Sequence, residues 1–169
     1  GIRENGGQYS HAAAWLGIAL ARSGEPDKAM DVFKMLSPVG RVSDAEQAET
    51  YLVEPYAVAA DIAGGDVHGG RGGWTWYTGA AAWTWRPAVE EILGLKLKAG
   101  RLEISPSMPT DWAGYSGKIR QPHGTISLLV KRGATGSDGV RDTVDGKAQN
   151  RGVISFPTDG SERKVEVIL

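Results

Sequence analysis

Apolar positions recur at helical spacing up to about residue 93 and alternate with polar positions beyond it. Over residues 11–23 they return every three or four positions, which predicts a helix with one buried face. Ser10 is suited to cap that helix and Gly24 to end it. Residues 26–36 repeat the pattern, and Pro26 is favoured in a first helical turn, so the two segments predict a helical hairpin.

A third helical stretch is predicted over residues 44–63, interrupted at Pro55, where a new helix is expected to begin. A glycine-rich loop with the sequence GGDVHGGRGG follows. A fourth helix is predicted over residues 78–93, with a kink or an early break at Pro87, because proline cannot donate to the helical ladder. These helices are too few for a closed core, which favours a piece of a larger domain.

The alternation beyond Gly94 predicts β-strands. The predicted strands are residues 95–98, 102–104, 115–120, 125–131, 152–156 and 164–169. Residues 133–151 are polar and glycine-rich and are predicted to loop out. Because a run of strands follows a run of helices, the fold class is predicted as α+β, with one domain or part-domain at residues 1–93 and another at 94–169.

Composition excludes several classes of function. The 169 residues carry a net charge of -1, whereas binding to nucleic acid or an anionic membrane needs a basic excess. The chain contains no cysteine, which rules out disulfides, thiolate metal sites and cysteine nucleophiles. It has no metal-binding motif, no Gly-x-Ser-x-Gly motif, and no pair of carboxylates whose placement singles it out for catalysis.

Tryptophans are concentrated in one short segment. Trp74, Trp76, Trp83 and Trp85 lie within twelve residues, with Tyr77 among them. Flat rings flanked by glycine are typical of sugar sites, because they stack on the apolar faces of pyranose rings. Large aromatic side chains also fill protein cores, so the composition leaves both interpretations open.

Three positions are suited to bind an anion. His11 lies in a predicted first helical turn, where an imidazole N–H and the helix N-terminus both favour negative charge. Thr78 and Gly79 open another predicted helix, where a hydroxyl and free backbone N–H groups can contact an oxyanion closely. A buried, hydrogen-bonded histidine and an ordinary helix cap are the alternatives.

A second group of residues is suited to bind sugar hydroxyls. Arg3 and Glu4 place a guanidinium beside a carboxylate, which can grip hydroxyls in complementary fashion, although such a pair also occurs on ordinary surfaces. Glu54 lies beside Pro55 at a predicted helix start, where it can cap the helix or bind a hydroxyl. Trp76 is predicted to bind substrate as well.

Four segments in order resemble glycoside hydrolase family 94. They are GIRENGGQYSHAAAW, ETYLVEPYAVAADI, GRGGWTWYTGAAAWTWR and ILGLKLKAGRLEISPSMPTDWAGY. The family contains cellobiose and chitobiose phosphorylases and the phosphorylase-like domain of cyclic β-1,2-glucan synthases. The sequence of these segments is most similar to the synthase branch. The resemblance implies that residues 1–93 are the last helices of an (α/α)6 barrel. It implies that residues 94–169 are a C-terminal antiparallel β-sandwich domain.

The resemblance also implies a reaction, the phosphorolysis of a β-glucosidic bond with inversion to a sugar 1-phosphate. One carboxylic acid suffices, because phosphate replaces the activated water. His11, Thr78 and Gly79 match the family's phosphate-binding residues, and Arg3 and Glu4 match its acceptor-contacting stretch. The family's general acid, an aspartate, and the arginines of its phosphate site lie upstream of the matched region, so no catalytic residue is expected in this chain.

The chain is therefore expected to be a C-terminal fragment, inactive alone. Its expected partners are a β-linked gluco-oligosaccharide, phosphate and the upstream part of a parent polypeptide, and a homodimer is compatible with this. No cofactor beyond phosphate as co-substrate is implied. The expected location is the cytoplasm, with a parent anchored in the inner membrane in the synthase branch. The alternatives are a non-catalytic carbohydrate-binding module and a helical-repeat interaction module, although no second repeat follows at a period of about 34 residues.

Overall fold

The computed structural model describes residues 5–76, 78–133, 142–149 and 153–169, with the backbone alone of Thr78. The chain divides into two compact units between Leu93 and Gly94. This boundary falls where the alternating sequence pattern begins, and each unit is described by itself below.

Six helical segments account for most of what the structure describes of the first unit. They are α1 Ser10–Arg22, α2 Pro26–Leu36, α3 Pro38–Arg41, α4 Ala45–Tyr51, α5 Thr78–Arg86 and a π-helical segment, Pro87–Ile92. The predicted hairpin of α1 and α2 is confirmed. The predicted break at Pro87 is also confirmed, because the α-helical ladder changes to a π-helical one at this residue, which has no N–H to donate.

Two predictions at helix starts are wrong. Ser10 is the first residue of α1, and Tyr9 is the capping residue. The Ser10 hydroxyl instead donates to the Ala59 carbonyl oxygen over 2.6 Å, so it is used to join two segments rather than to cap. No helix begins at Pro55. α4 ends at Tyr51, the next residue, Leu52, has a left-handed conformation with φ 53°, and the chain continues as turns.

A small sheet replaces the rest of that predicted helix. Its strands are β1 Gln8–Tyr9, β2 Asp61–Ile62 and β3 Gly72–Gly73, in that order and antiparallel. Tyr9 pairs with Asp61, and Asp61 pairs with Gly73. The sheet therefore ties the glycine-rich loop to the start of α1.

Small side chains allow α1, α2 and α5 to pack closely. Ala14, Val32 and Leu36 form a buried cluster, and Trp83 of α5 packs against it. A methyl group added at Gly17 would come 3.4 Å from the Val32 Cγ1 atom, which is ordinary van der Waals contact, so α1 and α2 already lie side by side at this position. The hairpin and α5 thus share one buried cluster.

The described residues of the second unit form eight strands in two sheets. They are β4 Leu95–Lys98, β5 Arg101–Ile104, β6 Gly114–Gln121, β7 Gly124–Lys131, β8 Asp142–Val144, β9 Lys147–Gln149, β10 Val153–Ser155 and β11 Glu162–Ile168. One sheet has the order β10-β5-β4 and the other the order β6-β7-β11-β8-β9. Buried residues of both sheets, among them Leu102, Ile126 and Ile154, share one hydrophobic core.

The mixed α and β class is confirmed, but two details of the β unit differ from the prediction. The sheet is not purely antiparallel, because β11 pairs with β7 in parallel from Glu162 to Ile168. Part of the predicted loop at 133–151 forms the hairpin of β8 and β9. The remainder of that loop at 134–141, 150 and 151, and position 152 of a predicted strand, lie outside the described residues.

Candidate functional site

The start of α1 places His11. The Ser10 N–H donates to the Ala60 carbonyl oxygen over 2.8 Å, and the Ser10 hydroxyl donates to the neighbouring Ala59 carbonyl. These two bonds hold the first turn of α1 against the segment that leads into β2. The His11 side chain, the next along the chain, is half-buried. The ring of Tyr9 packs edge-on against the imidazole, with the centroids 5.2 Å apart.

The His11 imidazole lies against the first turn of α5. An alanine methyl at Gly79 would come 2.9 Å from His11 Nε2 and 3.1 Å from Cε1, so only glycine leaves room for the ring. His11 and Gly79 are thus brought together across 68 positions of sequence, as an anion site made by both requires. Thr78 opens α5, and its side chain lies outside the described residues.

The electrostatics of this contact favour an anion. Each α-helix leaves its first four N–H groups without partners inside the helix, and its N-terminus carries about half a positive charge. Neither α1 nor α5 has an acidic residue in its first turn to neutralise that charge. An imidazole N–H beside such a terminus provides a side-chain donor, which suits an oxyanion such as phosphate.

A second group joins Glu54 to two exposed aromatic residues. The Trp76 indole Nε1 donates to Glu54 Oε1 over 3.0 Å. This hydrogen bond is the main reason that the pKa of the Glu54 carboxyl lies below its ordinary value. Tyr56 contacts Trp76 with ring centroids 5.9 Å apart, and the two side chains are 71% and 68% exposed. Accessible rings beside an ionised carboxylate offer both an apolar face and a hydroxyl acceptor.

The backbone before α5 is strained. Trp74 and Trp76 have φ angles of 55° and 64°, in the left-handed region that favours glycine. Each such residue costs on the order of 1 kcal/mol or more and persists only where its surroundings fix it. Strain of this kind is frequent at ligand sites, and here it holds two indoles close to the start of α5.

The tryptophan cluster divides between the two interpretations that its composition left open. Trp83 is half-buried, with Trp15 edge-on at 5.4 Å and the Arg86 guanidinium over its ring at 4.8 Å, so it is a packing residue. Trp74, Trp76 and Trp85 are exposed.

The predicted site residues therefore fall into two pairs, His11 with Gly79 and Glu54 with Trp76. Arg3 and Glu4 lie outside the described residues. Two participants were missed at the sequence level: Tyr9, which packs on His11, and Tyr56, which packs on Trp76. The sequence did offer a signal for both, because Tyr9 lies two positions before His11 and Tyr56 lies two positions after Glu54.

The described residues contain no group of three or more His, Cys, Asp or Glu side chains placed to hold a metal ion. Within the same described part of the chain, no helix is both long enough and apolar enough to cross a membrane.

Comparison with known proteins gives a family and several relatives. Residues 1–94 match the model of the glycosyl hydrolase 94 superfamily, catalytic domain. A cyclic beta-(1,2)-glucan synthase, NdvB, of Rhizobium meliloti (strain 1021) is 48% identical over 132 residues, which are 78% of this chain and 5% of that protein. An N,N'-diacetylchitobiose phosphorylase of Vibrio furnissii is 31% identical over all of this chain and 21% of its own length. A solabiose phosphorylase of Paenibacillus borealis is 28% identical over 99% of this chain and 22% of its own length.

Proposed function

Since the chain belongs to the glycosyl hydrolase 94 superfamily, we propose that it supplies part of the phosphate and sugar site of an inverting glycoside phosphorylase or cyclic glucan synthase-like enzyme. Its relatives are named as phosphorylases and a glucan synthase. The chain spans about a fifth of the length of the phosphorylases and 5% of the synthase. The complete activity would accordingly belong to a longer parent polypeptide, and this chain alone would not turn over.

The architecture follows from the same proposal. The helical unit at residues 1–93 would be the last part of an (α/α)6 barrel. The unit at 94–169 would be the C-terminal β domain, a sandwich whose two sheets enclose the shared core. The upstream part of the parent would supply the remaining helices and the general acid, an aspartate.

In the proposed reaction, a phosphate oxygen attacks the anomeric carbon from the face opposite the leaving group. The bond from that carbon to the glycosidic oxygen breaks, and the upstream acid gives its proton to the departing oxygen. His11, Thr78 and Gly79 would hold the phosphate in line for attack without touching the acid. Phosphate is a co-substrate, and no other cofactor is needed.

The observation that carries this proposal is the contact between the His11 imidazole and Gly79. It supports the proposal because it brings a side-chain donor up to the first turn of α5, whose backbone N–H groups can bind the same oxyanion. Because no first-turn residue of either helix is acidic, the anion would meet no like charge from those turns.

The sugar would lie along the second group. Trp76 and Tyr56 would contact the apolar face of a β-linked gluco-oligosaccharide, and the Glu54 carboxylate would accept a hydrogen bond from a sugar hydroxyl. Arg3 and Glu4 would contact the acceptor side. A cytoplasmic location, a membrane-anchored parent and a homodimer are further parts of the proposal.

Imidazole NMR tests the phosphate site directly. The chain has three histidines, and His123, which belongs to the second unit and to neither candidate group, serves as the internal control for His11. Added phosphate should shift the His11 ring signals saturably and leave the His123 ring unchanged. A His11→Gln variant identifies the signal, and phosphate binding to that variant, followed by ³¹P line width, should fall about tenfold or more. Equal shifts at His11 and His123, or no shift at His11, would refute the assignment.

A further inference from the structure

Asp61 is a buried acid that the proposed reaction does not use. Asp61 is 4% exposed, and its Oδ1 atom has no hydrogen-bond partner among the residues that the structure describes. A methyl group at Gly73, the partner of Asp61 in the sheet, would come 2.7 Å from that oxygen, so the missing side chain at Gly73 leaves room for the carboxyl. Burying a polar oxygen without a partner costs on the order of 1–3 kcal/mol, which favours a ligand that supplies the missing donor.

A cavity of about 190 Å³ lies beside this carboxyl. Its side-chain lining includes Asp61, His68, Arg71 and Trp74, and the backbone of Gly72 and Gly73 completes one wall. The volume equals about six water molecules at their liquid density, which is the scale of one small organic ring rather than of a single ion.

The charges of the lining select the kind of ligand. A carboxylate at Asp61 disfavours an anion such as phosphate, and the guanidinium of Arg71 disfavours a metal cation. A neutral polyol is compatible with both, because its hydroxyls donate to the carboxylate and accept from Arg71 and His68. The Trp74 ring, held in its left-handed conformation and half exposed, adds a flat apolar surface.

The cavity is fixed close to His11. Tyr9, the residue paired with Asp61 in the sheet, lies two positions before His11 and packs on its ring. A sugar ring held in this cavity would therefore be a neighbour of the phosphate site.

We propose that the Asp61 cavity is a subsite for one neutral hexosyl unit. In this subsite Asp61 accepts a hydrogen bond from a sugar hydroxyl, Arg71 and His68 donate hydrogen bonds to sugar oxygens, and the Trp74 side chain contacts the sugar ring. The proposal rests on the proposed function for the kind of sugar only. It adds Asp61, His68 and Arg71 to the site as specificity-determining residues.

Indole NMR tests the subsite on the whole chain. Glucose, a β-1,2-linked glucobiose and N,N'-diacetylchitobiose are titrated in turn, and the Trp74 indole N–H is identified by a Trp74→Phe variant. At least one sugar should shift that signal saturably. Asp61→Asn, which keeps the shape of the side chain, should weaken the binding about tenfold or more. Asp66→Asn is the matched control, because Asp66 is an exposed acid of the same loop and does not line the cavity.

Three outcomes would overturn the subsite: no sugar shifts the Trp74 signal, Asp61→Asn binds like the parent, or phosphate or Ca²⁺ shifts Trp74 where sugars do not. If the amide spectrum shows that Asp61→Asn is misfolded, Arg71→Gln on the exposed side of the cavity makes the same test. Phosphate titrations of the same samples separate the two proposals. A His11 response to phosphate without a Trp74 response to any sugar sinks the subsite alone, and a Trp74 response to a sugar without a His11 response to phosphate sinks the phosphate site alone.

Discussion

Replacing Gly79 by alanine should leave the protein folded and weaken its binding of phosphate. The added methyl would lie 2.9 Å from His11 Nε2, which is about 0.5 Å short of normal contact. The backbone of α5 is fixed by its own ladder, whereas the imidazole rotates about single bonds. The ring will therefore move away from the start of α5.

The two effects on stability nearly cancel. Alanine is up to about 1 kcal/mol more favourable than glycine inside a helix, and the position does not require a left-handed backbone. Displacing one half-buried ring costs about 1 kcal/mol in return. Phosphate binding loses a charge-assisted hydrogen bond worth about 1.5–3 kcal/mol, which is about a tenfold to a hundredfold increase in Kd.

Urea unfolding and a phosphate titration followed at the His11 ring measure the two quantities on one sample. Gly117→Ala in β6 is the control, because no atom lies within 4 Å of its added methyl. A Gly79→Ala variant that binds phosphate within about twofold of the parent would refute the close approach as the basis of the site. So would one that loses about 3 kcal/mol or more of stability, since the loss of binding would then report unfolding.

Three further predictions concern the surroundings of the site and the β unit. The pKa of the Glu54 carboxyl is lowered below its ordinary value of 4.5, so the hydrogen bond from Trp76 should persist at pH 4.5 and be lost only as the pH falls further. A pH titration of the Trp76 indole signal measures this, and a midpoint at or above 4.5 would contradict it. Arg22→Gln removes a guanidinium that donates over 2.7 Å to Glu91, whose side chain is only 5% exposed. Since the Arg22 side chain is itself 58% exposed, we expect the free energy of unfolding in urea to fall by about 1–2 kcal/mol, and by less for Arg22→Lys. Ile126→Ala empties a fully buried position in β7 and should cost the β unit about 3 kcal/mol, whereas the exposed Lys131→Ala on the same strand should cost under about 1 kcal/mol in the same urea unfolding measurement.

Local signals predicted the fold where local physics decides it. Pro26 begins α2 and Pro87 ends the α-helical part of the last helical stretch, because a missing N–H acts at its own position. Ser10 and Pro55 misled for the opposite reason. The Ser10 hydroxyl found a partner 49 residues away, and the segment after Pro55 was drawn into turns and a strand by pairing with β1.

The β unit shows the same limit. Alternation in residues 125–131 and 164–169 identified both strands, but alternation is the same for either direction of pairing. The parallel pairing of β11 with β7 depends on the route of the chain between them, which no local pattern encodes.

The candidate site divides in the same way. His11 and Gly79 were predicted because each lies at a helix start, where one residue type already has chemical meaning. Asp61 carried no such signal, since an aspartate in an apolar stretch looks like any exposed polar residue. Its burial comes from pairing on one side with Tyr9 and on the other with Gly73, whose missing side chain leaves room for the carboxyl. A residue whose role depends on the register of two distant strands becomes visible only when those strands are placed, and for that reason Asp61 is the more informative of the two sites to mutate.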